Sequence, residues 1–150
     1  MKRLTLLVLF SMLMAPFSSV TLAGGVKVGT LFDNSGALKD WGPRQQNAAE
    51  LAAQQMAAAG FTIEFFLEDS QTAAEPAKIA ARKLIETDKV AVIIGSSSSG
   101  VIVPVAESVT CPENVLMITP GATSPFITDL PEDKDKDFLF RTCPSDALQG

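Results

Sequence analysis

The tightest constraint on this chain is an alternation: short β-branched runs separated by longer stretches of good helix formers. Residues 26–31 (Val-Lys-Val-Gly-Thr-Leu) read as a first strand. Residues 40–59 are rich in Ala, Gln, Leu and Met and are closed by Gly60, which predicts a helix with a glycine stop. Residues 62–68 read as a second strand, and residues 75–87 as a second helix with Pro76 tolerated in its first turn. In that helix, Ile79 and Leu84 are expected to face the core while the charges face water. Residues 90–94 are apolar throughout, as in a strand buried on both faces. Residues 99–109 form a third expected helix, and residues 115–119 and 138–142 a fourth and a fifth strand. Strands alternating with helices at this spacing pair in parallel through short right-handed crossovers. The expected fold is α/β: a doubly wound, mainly parallel five-stranded sheet with helices on both faces.

Residues 120–137 break the alternation. They hold no long helical pattern and end in Glu132-Asp133-Lys134-Asp135-Lys136-Asp137, expected to be a solvated surface loop. After the fifth strand, Ser145 is placed to cap a first helical turn. A helix begun there and not continued is the pattern expected of a fragment.

The first 23 residues read as a leader rather than as fold. Met1-Lys2-Arg3 is basic, residues 4–15 are almost wholly apolar, and residues 18–23 are mostly small, with Ala23 at the expected cut. That order is a secretory signal peptide. As a membrane anchor the apolar run is too short, since a span takes roughly 20 residues. The mature domain is then residues 24–150, outside the cytoplasm. With Lys2 and Arg3 gone, ten Lys and Arg face seventeen Asp and Glu, a net charge of −7.

Composition closes several classes of chemistry. With no clustered Lys/Arg stripe, this acidic chain is not expected to bind nucleic acid. There is no His, so Ser-His-Asp and Cys-His catalysis, His-based zinc sites and imidazole shuttles are not available from these residues. No metal site and no cofactor is expected. Cys111 precedes the fourth strand and Cys143 ends the fifth, so parallel pairing puts them at opposite ends of the sheet, too far apart to bridge.

In an open α/β sheet, ligands bind beyond the carboxyl ends of the strands. The residues just after each strand are therefore the informative ones: Asp33-Asn34-Ser35-Gly36, then Trp41; Asp69-Ser70; Gly95 and four serines; Pro120-Gly121-Ala122-Thr123-Ser124-Pro125; Cys143-Pro144. As a flexible linker the serine run has no work between a buried strand and a helix. At a helix start, small hydroxyl residues let an anion approach unpaired N–H groups. The spacing is neither a P-loop nor a dinucleotide fingerprint. Gly121-Ala122-Thr123-Ser124 is turn chemistry by composition, yet it lies at the same edge, one strand over. Together the two turns suit a small zwitterion. Trp41, the only Trp, fits packing and pocket wall equally. The pair Glu68-Asp69 and the lone Cys143 carry little weight as catalytic groups.

At these residues the chain resembles the substrate-binding proteins of ABC transporters for branched-chain amino acids and related solutes, the type I periplasmic-binding fold. The resemblance rests on Val26-Lys27-Val28-Gly29 with Ser35-Gly36, residues 48–60 and 80–85, Val92-Ile93-Ile94-Gly95 with Ser98-Ser99-Gly100, residues 118–125, Pro104, and Phe140-Arg141-Thr142 with Pro144-Ser145-Asp146. It implies one of two α/β lobes, with a ligand held in the cleft between them. It implies a small-molecule ligand, an amino acid or similar carboxylate, held by Ser98, Ser99, Gly121, Ala122 and Thr123 with Trp41 lining the pocket. It implies delivery to a membrane permease from the periplasm, and no enzyme chemistry. Gly121 departs from the Ala or Ser that amino-acid binders often carry there. The alternative reading is the sensory ligand-binding domain of a receptor, which shares the fold.

Overall fold

The computed structural model describes residues 25–149. The expected leader, residues 1–23, lies outside the described residues. Five strands are present: β1 (Val26–Phe32), β2 (Ile63–Asp69), β3 (Val92–Gly95), β4 (Leu116–Thr119) and β5 (Leu139–Arg141). They form one sheet in the order β2-β1-β3-β4-β5, and every adjacent pair is parallel. The helices are α1 (Gly42–Ala58), α2 (Ala74–Glu86) and α3 (Ser99–Val105). Between β4 and β5 there are only single helical turns, at Pro125–Ile127 and Pro131–Asp133.

The strand register sorts side chains onto two faces. Leu31, Ile93, Met117 and Leu139 share one face and pack with Ala77, Ala81 and Leu84 of α2 and Val101, Ile102 and Val105 of α3 in the main core. Leu84 is fully buried, so its truncation to Ala costs about 2–5 kcal/mol. Ile79 departs from the expectation: it is 71% exposed. At 100° per residue, five positions turn a helix well past one face, so Ile79 and Leu84 cannot share a buried stripe. The buried stripe is Ala77, Ala80, Ala81 and Leu84.

The opposite face is covered unequally. The α1 helix packs on β1 and β2, where Val28, Thr30 and Phe32 are buried. Val92, Ile94, Leu116 and Ile118 are only half-buried, and Phe140 is 46% exposed.

The third helix is not uniform. Pro104 lacks an N–H and its ring crowds the carbonyl one turn back. Ser108 Oγ donates to the Pro104 carbonyl at 2.6 Å. The chain then continues as a wider π turn, Ala106–Thr110, with Cys111 N–H donating to the Ala106 carbonyl at 3.1 Å.

The charge run after Leu130 is more than a solvated loop. The Asp133 carboxylate accepts from the N–H groups of Phe138 (2.7 Å) and Leu139 (3.2 Å), starting β5. Lys136 Nζ donates to the Cys111 carbonyl at 3.0 Å. Asp133 thus anchors the start of β5, the edge strand, while Asp135 and Asp137 are exposed. Both cysteines are free thiols. Burial, with the Asp133 carboxylate beside it, pushes the Cys111 thiol up to about 11.

Candidate functional site

All five strands run in parallel, so their carboxyl ends lie along one edge. Asp33 follows β1 there and is fully buried. Its Oδ1 accepts from Ser70 Oγ (2.6 Å) and Ser96 Oγ (2.7 Å), and its Oδ2 from Ser97 N–H (2.9 Å). One carboxylate thus holds the exits of β1, β2 and β3 together. Asp69, at the end of β2, ties down the neighbouring loop. It accepts from Ser35 Oγ (2.6 Å) and from the N–H groups of Asn34 (3.0 Å), Ser35 (3.2 Å) and Gln71 (2.9 Å). Burial pushes the Asp69 carboxyl up, but these donors outweigh it and hold the carboxyl below its usual value. Asp69 is a structural latch.

The serine run leaves β3 and enters α3. Ser96 is fully buried: its N–H donates to the Leu31 carbonyl, its Oγ accepts from Ser98 N–H (3.0 Å), and its carbonyl accepts from Thr119 Oγ1 (2.7 Å). Ser97 Oγ accepts from the Gln45 side-chain amide of α1. Ser98 stands at the helix start with extended backbone and no side-chain capping bond. Ser99 Oγ accepts from Ser124 N–H at 3.1 Å, which clasps the two hydroxyl turns together. That bond uses an oxygen lone pair and leaves the Ser99 proton free to donate.

The second turn follows β4. Gly121 sits so close to the serine run that a Cβ there would meet Ser97 Oγ at 2.6 Å and Ser97 Cβ at 2.9 Å. This contact explains why glycine stands at a position where the resemblance leads one to expect Ala or Ser. Thr123 Oγ1 donates to Asp146 Oδ2 (2.8 Å), and the Thr123 carbonyl accepts from Asp146 N–H (2.9 Å) and Arg141 Nη1 (3.4 Å). Arg141 also donates to the Ser124 carbonyl at 2.7 Å. With its proton committed to Asp146, Thr123 Oγ1 offers an acceptor, which suits an ammonium rather than a carboxylate.

Of the six candidate residues, Ser98, Ser99, Gly121 and Thr123 are half-buried along this edge. Ala122 is different. Its side chain is fully buried in the core, its N–H donates to Thr119 Oγ1 (3.1 Å), and its carbonyl accepts from Cys143 Sγ (3.3 Å). It shapes the turn and has no surface to offer. Trp41 is 53% exposed at the start of α1, with the Arg44 guanidinium 5.9 Å from its ring centre. Trp41 is one helical turn from Gln45, which reaches Ser97. A surface hollow of about 500 Å³ lined by Thr128–Leu130, Pro131 and Asp133 contains none of the candidates. The serine and glycine turns form an open shelf. Among the described residues no cluster of acidic or cysteine side chains is arranged to hold a metal.

Sequence reasoning placed Asp33 at this edge but gave it no role, and it gave none to Gln45 or Asp146. The signal for Asp33 was its place directly after a strand; its three donors come from β2 and β3 and are invisible locally.

The sequence profile of the periplasmic binding protein family matches residues 25–150. The chain belongs to that family. Curated relatives include the Leu/Ile/Val-binding protein BraC3 of Rhizobium johnstonii, 27% identical over all of this chain and 39% of its own length. Another is the leucine-, isoleucine-, valine-, threonine- and alanine-binding protein of Pseudomonas aeruginosa, 30% identical over 93% of this chain and 37% of its own. The chain thus spans less than two-fifths of the length of these relatives. Among solved structures, the branched-chain amino acid substrate-binding protein LivJ of Streptococcus pneumoniae, in complex with isoleucine, superposes with a TM-score of 0.71 at 26% identity, covering 83% of this chain and 35% of that one. A solute-binding protein of an ABC transporter from R. palustris, in complex with benzoate, gives 0.72 at 28% identity, covering 83% and 34%. The doubly wound parallel sheet expected from the sequence is therefore the fold these similar structures share with the chain over the matched residues.

Proposed function

We propose that this chain supplies one wall of a ligand cleft that captures an α-amino acid or a small carboxylate for an ABC importer. The observation that carries the reading is the clasp of the two hydroxyl turns through Ser99 and Ser124 at the carboxyl ends of β3 and β4. It leaves the Ser99 proton free to donate and the Thr123 oxygen available as an acceptor. A carboxylate takes Ser98 and Ser99; an ammonium takes Thr123 Oγ1 and the Gly121 carbonyl; Trp41 borders the apolar part. The branched-chain and benzoate ligands named for the similar proteins share a carboxylate, which supports placing the donors at the serine turn. No bond is made or broken in this role. Capture precedes docking on a membrane permease, and residues 1–23 direct the chain to the periplasm.

Inside a closed, desolvated cleft a charge-assisted hydrogen bond contributes roughly 1.5–3 kcal/mol, so in a protein that supplies both walls Ser99→Ala weakens binding about ten- to a hundredfold. Thr123→Val weakens L-isoleucine, which carries an ammonium, and spares benzoate, which does not. Calorimetric titration of the parent and both variants tests this. Equal losses for the two ligands in Thr123→Val contradict the division of labour, and unchanged affinity in Ser99→Ala removes the site.

A further inference from the structure

The two turns are not independent loops. Asp33 Oδ1 accepts from Ser96 Oγ, and the same Ser96 Oγ accepts from Ser98 N–H. The Ser96 carbonyl accepts from Thr119 Oγ1, which in turn accepts from Ala122 N–H. Every link is between groups that are buried or half-buried, where an unmade hydrogen bond is costly. From the fully buried Asp33, one branch fixes the start of the serine turn and the other fixes the start of the glycine turn.

We infer that Asp33 is the positioning residue of the binding edge, setting the backbone of both turns through Ser96 and Ser97 without touching ligand. The purpose assigned to the turns rests on the proposed function; the wiring itself does not. A carboxylate suits the position because its two oxygens only accept, and three donors converge on them from two strand exits. The isosteric amide has one accepting oxygen. In Asp33→Asn the oxygen keeps the two hydroxyls and the NH₂ meets Ser97 N–H donor to donor, or the amide turns over and the hydroxyls lose their acceptor. Either arrangement moves the serine turn. Ser96 then carries the displacement to Thr119 and Ala122.

Amide hydrogen exchange of the full chain, followed by NMR without any ligand, tests the wiring. Asp33→Asn is expected to speed exchange at Ser97, Ser98 and Ala122 by about tenfold or more relative to Ile93 and Met117 in the sheet. Two further variants separate the branches. Ser96→Ala removes the acceptor of Ser98 N–H, while Ser97 N–H stays on Asp33 Oδ2 and keeps the Ser96 carbonyl on Thr119, so Ser98 speeds up and Ala122 does not. Thr119→Val does the reverse. Val109→Ala, a core truncation, is expected to act evenly on all slowly exchanging amides. Should Asp33→Asn fail to fold, the opposite patterns of Ser96→Ala and Thr119→Val still support the wiring. An even acceleration across the sheet in Asp33→Asn, or Ser98 and Ala122 responding together in both branch variants, overturns it. L-isoleucine and benzoate are added last. Failure of the parent chain to bind either one counts against the ligand reading, while the exchange pattern independently decides the wiring.

Discussion

Replacing Gly121 by Ala probes the closest approach on the proposed binding edge. Gly121 does not have a positive φ, so alanine meets no backbone penalty there, and the whole effect is steric. The new Cβ lies 2.6 Å from Ser97 Oγ and 2.9 Å from Ser97 Cβ. Ser97 has little room to yield. Its hydroxyl holds the Gln45 amide, and Gln45 Oε1 is already buried with no partner among the described residues. Turning the hydroxyl away strands both ends of the amide. Overpacking of this kind costs about 1–3 kcal/mol. Removing the Ser97 side chain clears the space: Ser97→Gly alone is destabilising, but combined with Gly121→Ala it should cost little more than it does alone. Urea unfolding of the parent, both single variants and the double variant gives the coupling directly. A favourable coupling above about 1 kcal/mol is expected. Additive losses would refute the close contact and with it the explanation for glycine at this position.

Three other outcomes follow from the same geometry. Cys111 is buried with its thiol pushed up to about 11, so iodoacetamide near pH 8 should leave it unmodified until denaturant is added, as mass mapping of the labelled site would reveal. The Asp69 carboxyl is held below its ordinary value in the folded state. Its contribution to stability is therefore complete above about pH 4 and is lost as pH falls through the lowered value; Asp69→Asn should flatten that part of the acid-unfolding curve. The half-covered apolar face of β3, β4 and β5 should drive self-association of the 150-residue chain, which light scattering would detect and Phe140→Lys would reduce.

The alternation of strands and helices was legible because each element had the right period and a stop signal: Gly60 closes α1, and β3 is apolar on both faces. Parallel pairing followed from crossover geometry; the strand order β2-β1-β3-β4-β5 comes from the structure alone. Local reasoning failed where partners are distant in sequence. Ile79 was placed with Leu84 on one apolar face, but five positions on α2 separate them too far in angle, and Ile79 is exposed. Asp133 looked like one charge in a solvated run, and only the fold brings the N–H groups of Phe138 and Leu139 to its carboxylate. Asp33 is the strongest case. Nothing near it in sequence shows that Ser70 and Ser96 converge on it. On the binding edge the hydroxyl residues were legible as a set, but which of them have a free proton was not. That depends on Ser124 N–H reaching Ser99 and on Asp146 reaching Thr123.

The central claim, that this chain presents one open wall of a carboxylate-binding cleft, is tested most directly by NMR titration of the chain with L-isoleucine and benzoate. An open shelf leaves the carboxylate largely hydrated, so its ion contacts contribute little. Expected is millimolar affinity, about −4 kcal/mol. Shift changes should be confined to Ser98, Ser99, Gly121 and Thr123, with the Trp41 indole joining them. Micromolar binding by a stable monomer would contradict the single-wall reading. Saturable shifts elsewhere, with these residues unmoved, would contradict the site itself.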